Sequence, residues 1–119
     1  MWSSMRAVIS WLEDRLDVLV CTYPPREMPS DFAVVQRVGG IMSYPHDAPR
    51  YTIQIWTDSD KGGEQAIMAL ARVLPTLVEA DERINAVDSS PEVTQLGHVE
   101  TGHFVWQLTF QLYVNIIQQ

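Results

Sequence analysis

His103-Phe-Val-Trp-Gln-Leu-Thr-Phe-Gln-Leu-Tyr-Val-Asn115 is the stretch whose pattern decides the fold. Its even positions, Phe104, Trp106, Leu108, Phe110, Leu112 and Val114, are all apolar, and Ile116 continues the series. The odd positions, His103, Val105, Gln107, Thr109, Gln111, Tyr113 and Asn115, are mostly neutral hydrogen-bonding groups. Successive side chains of a strand point to opposite faces, so this period of two predicts one strand with a core face and a second, polar face. At ~3.3 Å per residue the run spans about 43 Å, longer than the strands of most small domains, so it either bends or projects from the core. The odd face has neither the charges of a purely solvated surface nor the aliphatics of a second core, and it suits contact with another protein.

Working outward, Arg50-Tyr-Thr-Ile-Gln-Ile-Trp-Thr57 alternates in the same way, with Tyr51, Ile53 and Ile55 on one face and Thr52, Gln54 and Trp56 on the other. Phe32 to Val38 has strand composition and is closed by Gly39-Gly40 as a turn or bulge; Ser43 to Pro49 is expected to be a loop held by its prolines. Asp17 to Thr22 is a short strand stopped by Tyr23-Pro-Pro25, after which a loop runs to about Ser30. Arg83 to Val87 is a further short strand, broken by Ser89-Ser-Pro91. Met5, Val8, Ile9, Leu12 and Leu16 recur at helical spacing over residues 3–16, with Ser3 or Ser4 as N-cap. Asp58-Ser-Asp60 caps a second helix carrying Ile67, Leu70, Ala71, Leu74, Leu77 and Val78, weakened at its start by Gly62 and Gly63 and ended or kinked by Pro75. Two amphipathic helices and four to five strands assemble most simply as an α+β fold, a mostly antiparallel sheet with both helices on one face.

The 119 residues are predicted to form one domain, 1–119, large enough to bury a core without disulfides. The lone Cys21 lies in an apolar run and is expected to pack as a small hydrophobe. Fifteen acidic against eight basic residues give a net charge of −7, the wrong sign for a protein that grips phosphates. No apolar stretch approaches the ~20 residues of a membrane span, and the charges at Arg6, Glu13, Asp14 and Arg15 interrupt any signal-like segment.

Groups able to carry chemistry are sparse. His46, His98 and His103 offer too few partners for a zinc site, and neither glycine pair is followed by a P-loop lysine, so no metal or cofactor is expected. Ser43 or Cys21 with His46 and Asp47 makes a conceivable nucleophile and base without any supporting motif. Glu79, Asp81 and Glu82 follow the second helix as a charged loop or lining. Asp47 and Arg50 are expected to pair with each other or to face water. Trp2, Trp11 and Trp106 read as core anchors, whereas Trp56 stands on the face opposite Tyr51, Ile53 and Ile55.

A helix, Val34-Val-Gln-Arg-Val-Gly-Gly40, Asp47-Ala-Pro-Arg-Tyr-Thr-Ile-Gln-Ile-Trp-Thr-Asp58, an alanine-rich helix and a closing strand follow one another in this order. Over roughly Ala7 to Val114 this resembles the tail terminator proteins of long-tailed bacteriophages, also called minor tail or tail completion proteins. The resemblance implies a virion protein without catalytic residues, assembled in the host cytoplasm. It implies a ring, typically a hexamer, on the head-proximal end of the tail tube. Such a ring stops tube polymerisation, meets the head completion proteins, and passes genomic DNA through its lumen without gripping it. On that basis Arg37, Trp56, Gln107, Thr109, Gln111 and Tyr113, with the Pro24–Ser30 and Ser43–Pro49 loops, are the expected subunit or tube contacts. Asp58, Glu79, Asp81 and Glu82 are the candidates to line the lumen. Two other readings stay open at this point: a homo-oligomeric adaptor of a non-viral assembly, and a small α+β enzyme using His46, Asp47 and His98 in a cleft.

Overall fold

The structure, a computed structural model, describes residues 2–88 and 90–117. Helix α1 (Ser4–Glu13) leads into β1 (Leu19–Cys21), β2 (Phe32–Ser43), β3 (His46–Thr57), α2 (Asp60–Val73), a 3-10 helix (Leu74–Ala80), β4 (Ile84–Val87), β5 (Glu92–His98) and β6 (Phe104–Asn115). The fold is α+β, with the two helices packed on one face of a six-stranded, mostly antiparallel sheet, one strand more than the upper sequence expectation. The strand order is β1-β2-β3-β6-β4, and β5 also pairs with β6, on the side away from β3.

The long alternating segment is the middle of this sheet. β6 runs antiparallel to β3 from His46 opposite Asn115 to Thr57 opposite Phe104, and its other side carries β5 along one half and β4 along the other. Pairing on both sides satisfies a strand of this length, so it does not project. Its even side chains meet Ala33 and Val35 of β2, Tyr51, Ile53 and Ile55 of β3, Val8, Trp11 and Leu12 of α1, and Ile67, Leu70, Leu74 and Leu77 beneath α2 and the 3-10 helix. Removing each such side chain from water contributes about 1.5–3 kcal/mol before conformational entropy is set against it.

Local chemistry sets the helix ends. Ser3 accepts from the Arg6 N–H and Ser59 from the Gly62 N–H, each satisfying a donor the first turn leaves unpaired. The residue after α2 is Leu74, where Pro75 diverts the chain into the 3-10 helix. Gly63 is buried where α2 crosses β6: a Cβ there would stand 2.8 Å from Trp106 Cδ1 and 3.3 Å from Thr57 Oγ1. The glycine that weakens an isolated helix is therefore what lets this one approach the sheet. Gly63→Val is expected to lower stability by about 1–3 kcal/mol, read as a lower urea midpoint, whereas Gly62→Ala, whose Cβ meets only Ser59 at 3.4 Å, is expected to be neutral or stabilising.

Three expectations are corrected. Ser43–Pro49 is not a loop: β2 and β3 continue through it to a tight hairpin at Tyr44-Pro45, with Ser43 opposite His46. Pro45 occupies the turn, and Pro49, with no N–H to give, coincides with a gap in the β3–β6 ladder at Ala48 and Pro49. Gly39-Gly40 does not close β2 as a turn; of the two readings the bulge is the one formed, with the register shifting at Val38, and at Gly40, with φ +108°, a Cβ would meet the Ala48 carbonyl. Glu92–His98 forms β5, which no sequence pattern indicated. Of the Ser89-Ser-Pro91 break before it, Ser89 lies outside the described residues. Cys21 is half-buried, its Sγ donating to the Ala33 carbonyl at 3.3 Å, and burial pushes its thiol pKa up. Among the described residues no helix is long and apolar enough to cross a membrane.

Candidate assembly surface

The face of the sheet turned away from the helices is built in rows, because β2, β3 and β6 keep a common register. Gly39, Arg50 and Gln111 form one row, Gln36, Thr52 and Thr109 the next, and Val34, Gln54 and Gln107 the one after. β5 extends these rows with Glu92 opposite Thr109 and Thr94 opposite Gln107. Four of the residues expected at an interface, Gln107, Thr109, Gln111 and Tyr113, thus share this face, as period two requires. Their amides are tied laterally: Trp56 Nε1 donates to Gln54 Oε1 at 3.1 Å, Gln54 Nε2 to Gln107 Oε1 at 3.0 Å, and Gln111 Nε2 to the Ala48 carbonyl at 3.0 Å. A neutral ladder of this kind is fixed in place and still leaves lone pairs and N–H groups facing outward.

The two ends of the face differ. At the hairpin end, Ile41, Ala48 and Tyr113 lie side by side, and the small Ala48 between two large side chains leaves a groove of about 240 Å³ rimmed by Ser43, His46 and Asn85. Ile41 is 81% exposed and Tyr113 48%, with Met42 and Tyr44 also exposed nearby. Exposed apolar groups standing together in this way are more common at interaction surfaces than elsewhere on a protein. At the opposite end, Trp56 stacks on Phe32 with ring centroids 5.1 Å apart, and the buried His103 stands edge-on to both. The segment between β1 and β2 crosses this end: Pro29 O accepts from His103 Nε2 at 2.9 Å and Thr22 O from Gln36 Nε2 at 3.0 Å. Trp56 is therefore a half-buried member of an intramolecular aromatic cluster.

Arg37 falls on the helix side of the sheet, opposite Tyr51. Its guanidinium forks onto the buried Asp47 at 2.8 and 2.9 Å, and its Nε donates to Gly39 O at 3.0 Å. Asp47 pairs with Arg37 and not with Arg50, because Arg50 lies on the other face. Fork-to-carboxylate geometry raises the Arg37 pKa further and locks the bulge, so Arg37 is a structural residue. His46 and His98 stand opposite Asn115 and Phe104, at the two ends of β6, about 36 Å apart at ~3.3 Å per residue. His98 stacks on Phe104 at 4.4 Å. A cleft combining His46, Asp47 and His98 is therefore not formed.

The acidic candidates also separate. Asp58 follows β3 at the His103 end of the sheet, whereas Glu79, Asp81 and Glu82 lie by the other end, where Asn115 N donates to Arg83 O. These four cannot line one patch. Asp81 is engaged internally, accepting from Trp2 Nε1 at 2.8 Å, the Arg83 N–H at 2.8 Å and Arg83 Nη1 at 3.1 Å. Burial raises its pKa, but the Arg83 N–H, the Arg83 guanidinium and the Trp2 indole outweigh it and hold the carboxyl below the usual carboxylate range. A lowered folded-state pKa stabilises above the unfolded value and is lost as pH falls through the folded one. Asp81→Asn is thus expected to remove part of the acid destabilisation, seen as a shallower fall in Tm from about pH 7 to about pH 2. Sequence pattern missed the further acids at the His103 end of the sheet: Asp31 before β2, which lines the same hollow as Asp58, and, spread to the two edges, Asp17 before β1 and Glu100 between β5 and β6.

A cleft of about 570 Å³ between α1 and the 3-10 helix is lined by Trp2, Arg6, Trp11, Arg15, Thr76 and Glu79 among others. Its central polar groups bond to each other: Thr76 Oγ1 accepts from Trp11 Nε1 at 3.0 Å and from Arg15 Nη2 at 3.1 Å, and Arg15 lies over the Trp11 ring. These bonds join α1 to the 3-10 helix. Comparison with protein-family models and with curated proteins finds no match to this chain.

Proposed function

We propose that this chain is an assembly protein of the tail terminator kind, which forms a ring on the head-proximal end of a phage tail tube, stops tube growth and presents a surface for head joining. The observation that carries the proposal is the one-sided sheet. Helices cover the apolar core of one face, while the other offers a fixed neutral amide and hydroxyl ladder running into an exposed apolar groove at Ile41, Ala48 and Tyr113. The order of elements that resembles tail terminators over Ala7 to Val114 supports the same reading. The acidic end marked by Asp17, Asp31, Asp58 and Glu100 is the surface we assign to the DNA path, where like charge keeps DNA from adhering.

Capping is the function to test. Purified tube subunit is allowed to polymerise with increasing amounts of this protein, and tube lengths are measured by electron microscopy. The proposal expects tubes to shorten at substoichiometric ratios with the protein at one end only. Unchanged lengths at every ratio would remove the terminator role.

A further inference from the structure

Helix α2 buries Ile67 and Leu70 against the sheet and turns Glu64, Gln65, Met68 and Ala69 outward, where all four are exposed. Met68, at 44% exposure, is the one large apolar side chain standing exposed on a helix among the described residues. Glu64 lies one turn before it, so the two are neighbours on the helix surface. Glu64 makes no ion pair among the described residues.

The open face of the sheet carries the counterpart of this pair. Ala48 is the low point of the groove, between Ile41 and Tyr113. Two positions along β3 on the same face stands Arg50, exposed beside Gly39 and Gln111 and likewise without an ion pair among the described residues. Of the strand positions described on this face, Arg50 alone is an arginine or lysine, in a chain whose net charge is −7. A lone cation beside an apolar hollow is complementary to a carboxylate beside an apolar side chain. Methionine suits such a hollow, since its unbranched thioether fills irregular gaps.

Spacing and direction agree as well. Glu64 and Met68 are about 6 Å apart along the helix at ~1.5 Å per residue, and Arg50 and Ala48 about 6.6 Å apart along the strand at ~3.3 Å per residue. With Met68 over Ala48, a helix antiparallel to β3 sets Glu64 over Arg50. Turned end for end, the same helix would bring Arg72, one turn after Met68, to Arg50 instead. In its own subunit α2 already runs antiparallel to β3: Gly63 lies against Thr57 and Trp106, and the 3-10 helix that follows packs on β4 by the hairpin end. One direction on both faces relates successive copies head to tail, the arrangement that closes into a ring, and gives each sheet a helical layer on either side. Leu19 with Asp17 and Met28 with Glu27 also join an exposed apolar group to an acid, but they lie on the open face or on the segment crossing it. A contact made from them would set two open faces together and close at a dimer.

We propose that the outer side of α2 from the next copy of this chain packs on the open face along β3, with Met68 of that copy in the groove at Ala48 and its Glu64 on Arg50. The inference rests on the ring-forming reading and names its subunit contact.

The test is charge reversal with rescue by mixing. Arg50→Glu and Glu64→Arg, each checked for an unchanged circular dichroism spectrum, should each weaken self-association about tenfold or more in sedimentation. A one-to-one mixture of the two variants should assemble again, because each then meets an opposite charge at both of its contacts, and the double variant should recover most of the loss by itself. A wild type that assembles while both single variants assemble equally well would overturn this contact and leave a ring standing, and so would weakened variants that neither the mixture nor the double variant rescues. A wild type that stays monomeric even with tube subunit would overturn the contact and the ring together.

Discussion

Phe110→Ala is expected to lower stability by about 3–5 kcal/mol, while Tyr113→Ala, three positions along the same strand, is expected to change it by no more than ~0.5 kcal/mol. The contrast follows from period two. Phe110 is 1% exposed, packs with Tyr51 in the core beneath the helices, and leaves a cavity when truncated. Tyr113 points from the opposite face into solvent beside Ala48 and Ala86. Since a domain of this size is stable by only about 5–15 kcal/mol, the first substitution removes a large share of the total. Urea unfolding of the two variants checks it, and equal losses would mean that the second face is also covered within the monomer.

Tyr113→Glu is expected to leave the monomer folded and to weaken assembly about a hundredfold, with Ile41→Glu doing the same. These two side chains wall the apolar groove, and a buried charge at the centre of an interface is costly while the same charge in water is not. The groove is the only part of the open face in which large apolar groups stand exposed side by side among the described residues. Circular dichroism for folding and sedimentation for association separate the outcomes. If the Glu variants assemble as the wild type does, the groove is not the contact; if they unfold, Tyr113 and Ile41 belong to the core.

Much of this architecture was legible in the order of residues because a single period carried it. The even face of β6, the Tyr51-Ile53-Ile55 face of β3 and the caps at Ser3 and Ser59 each follow from local rules that packing did not override. Where reading failed, two signals competed. Pro45 and Pro49 argued for a loop, yet one occupies a hairpin turn and the other a gap in the ladder, so both strands run on past them. β5 carries Glu92, Thr94, Gln95 and Gly97 at an edge where only Val93 packs against the core, so it lacks the apolar alternation that marks a strand. At the candidate surface, alternation placed Gln107, Thr109, Gln111 and Tyr113 together; Arg37 precedes the bulge in step with Ala33 and Val35, so its side of the sheet also follows from period two, whereas its fork onto Asp47 depends on the hairpin that brings β3 alongside. Strand order, which joins Asp31 to Asp58 and parts Asp58 from Glu79, is a long-range property that no local spacing reports.

The most direct test of the central claim, that this protein works by binding copies of itself and a tube, is its mass in solution by light scattering after size exclusion, across protein concentration and with tail-tube subunit added. A discrete ring mass, or a monomer that becomes one only when tube ends are present, is the predicted result. A monomer at every concentration, indifferent to the tube subunit, would contradict it.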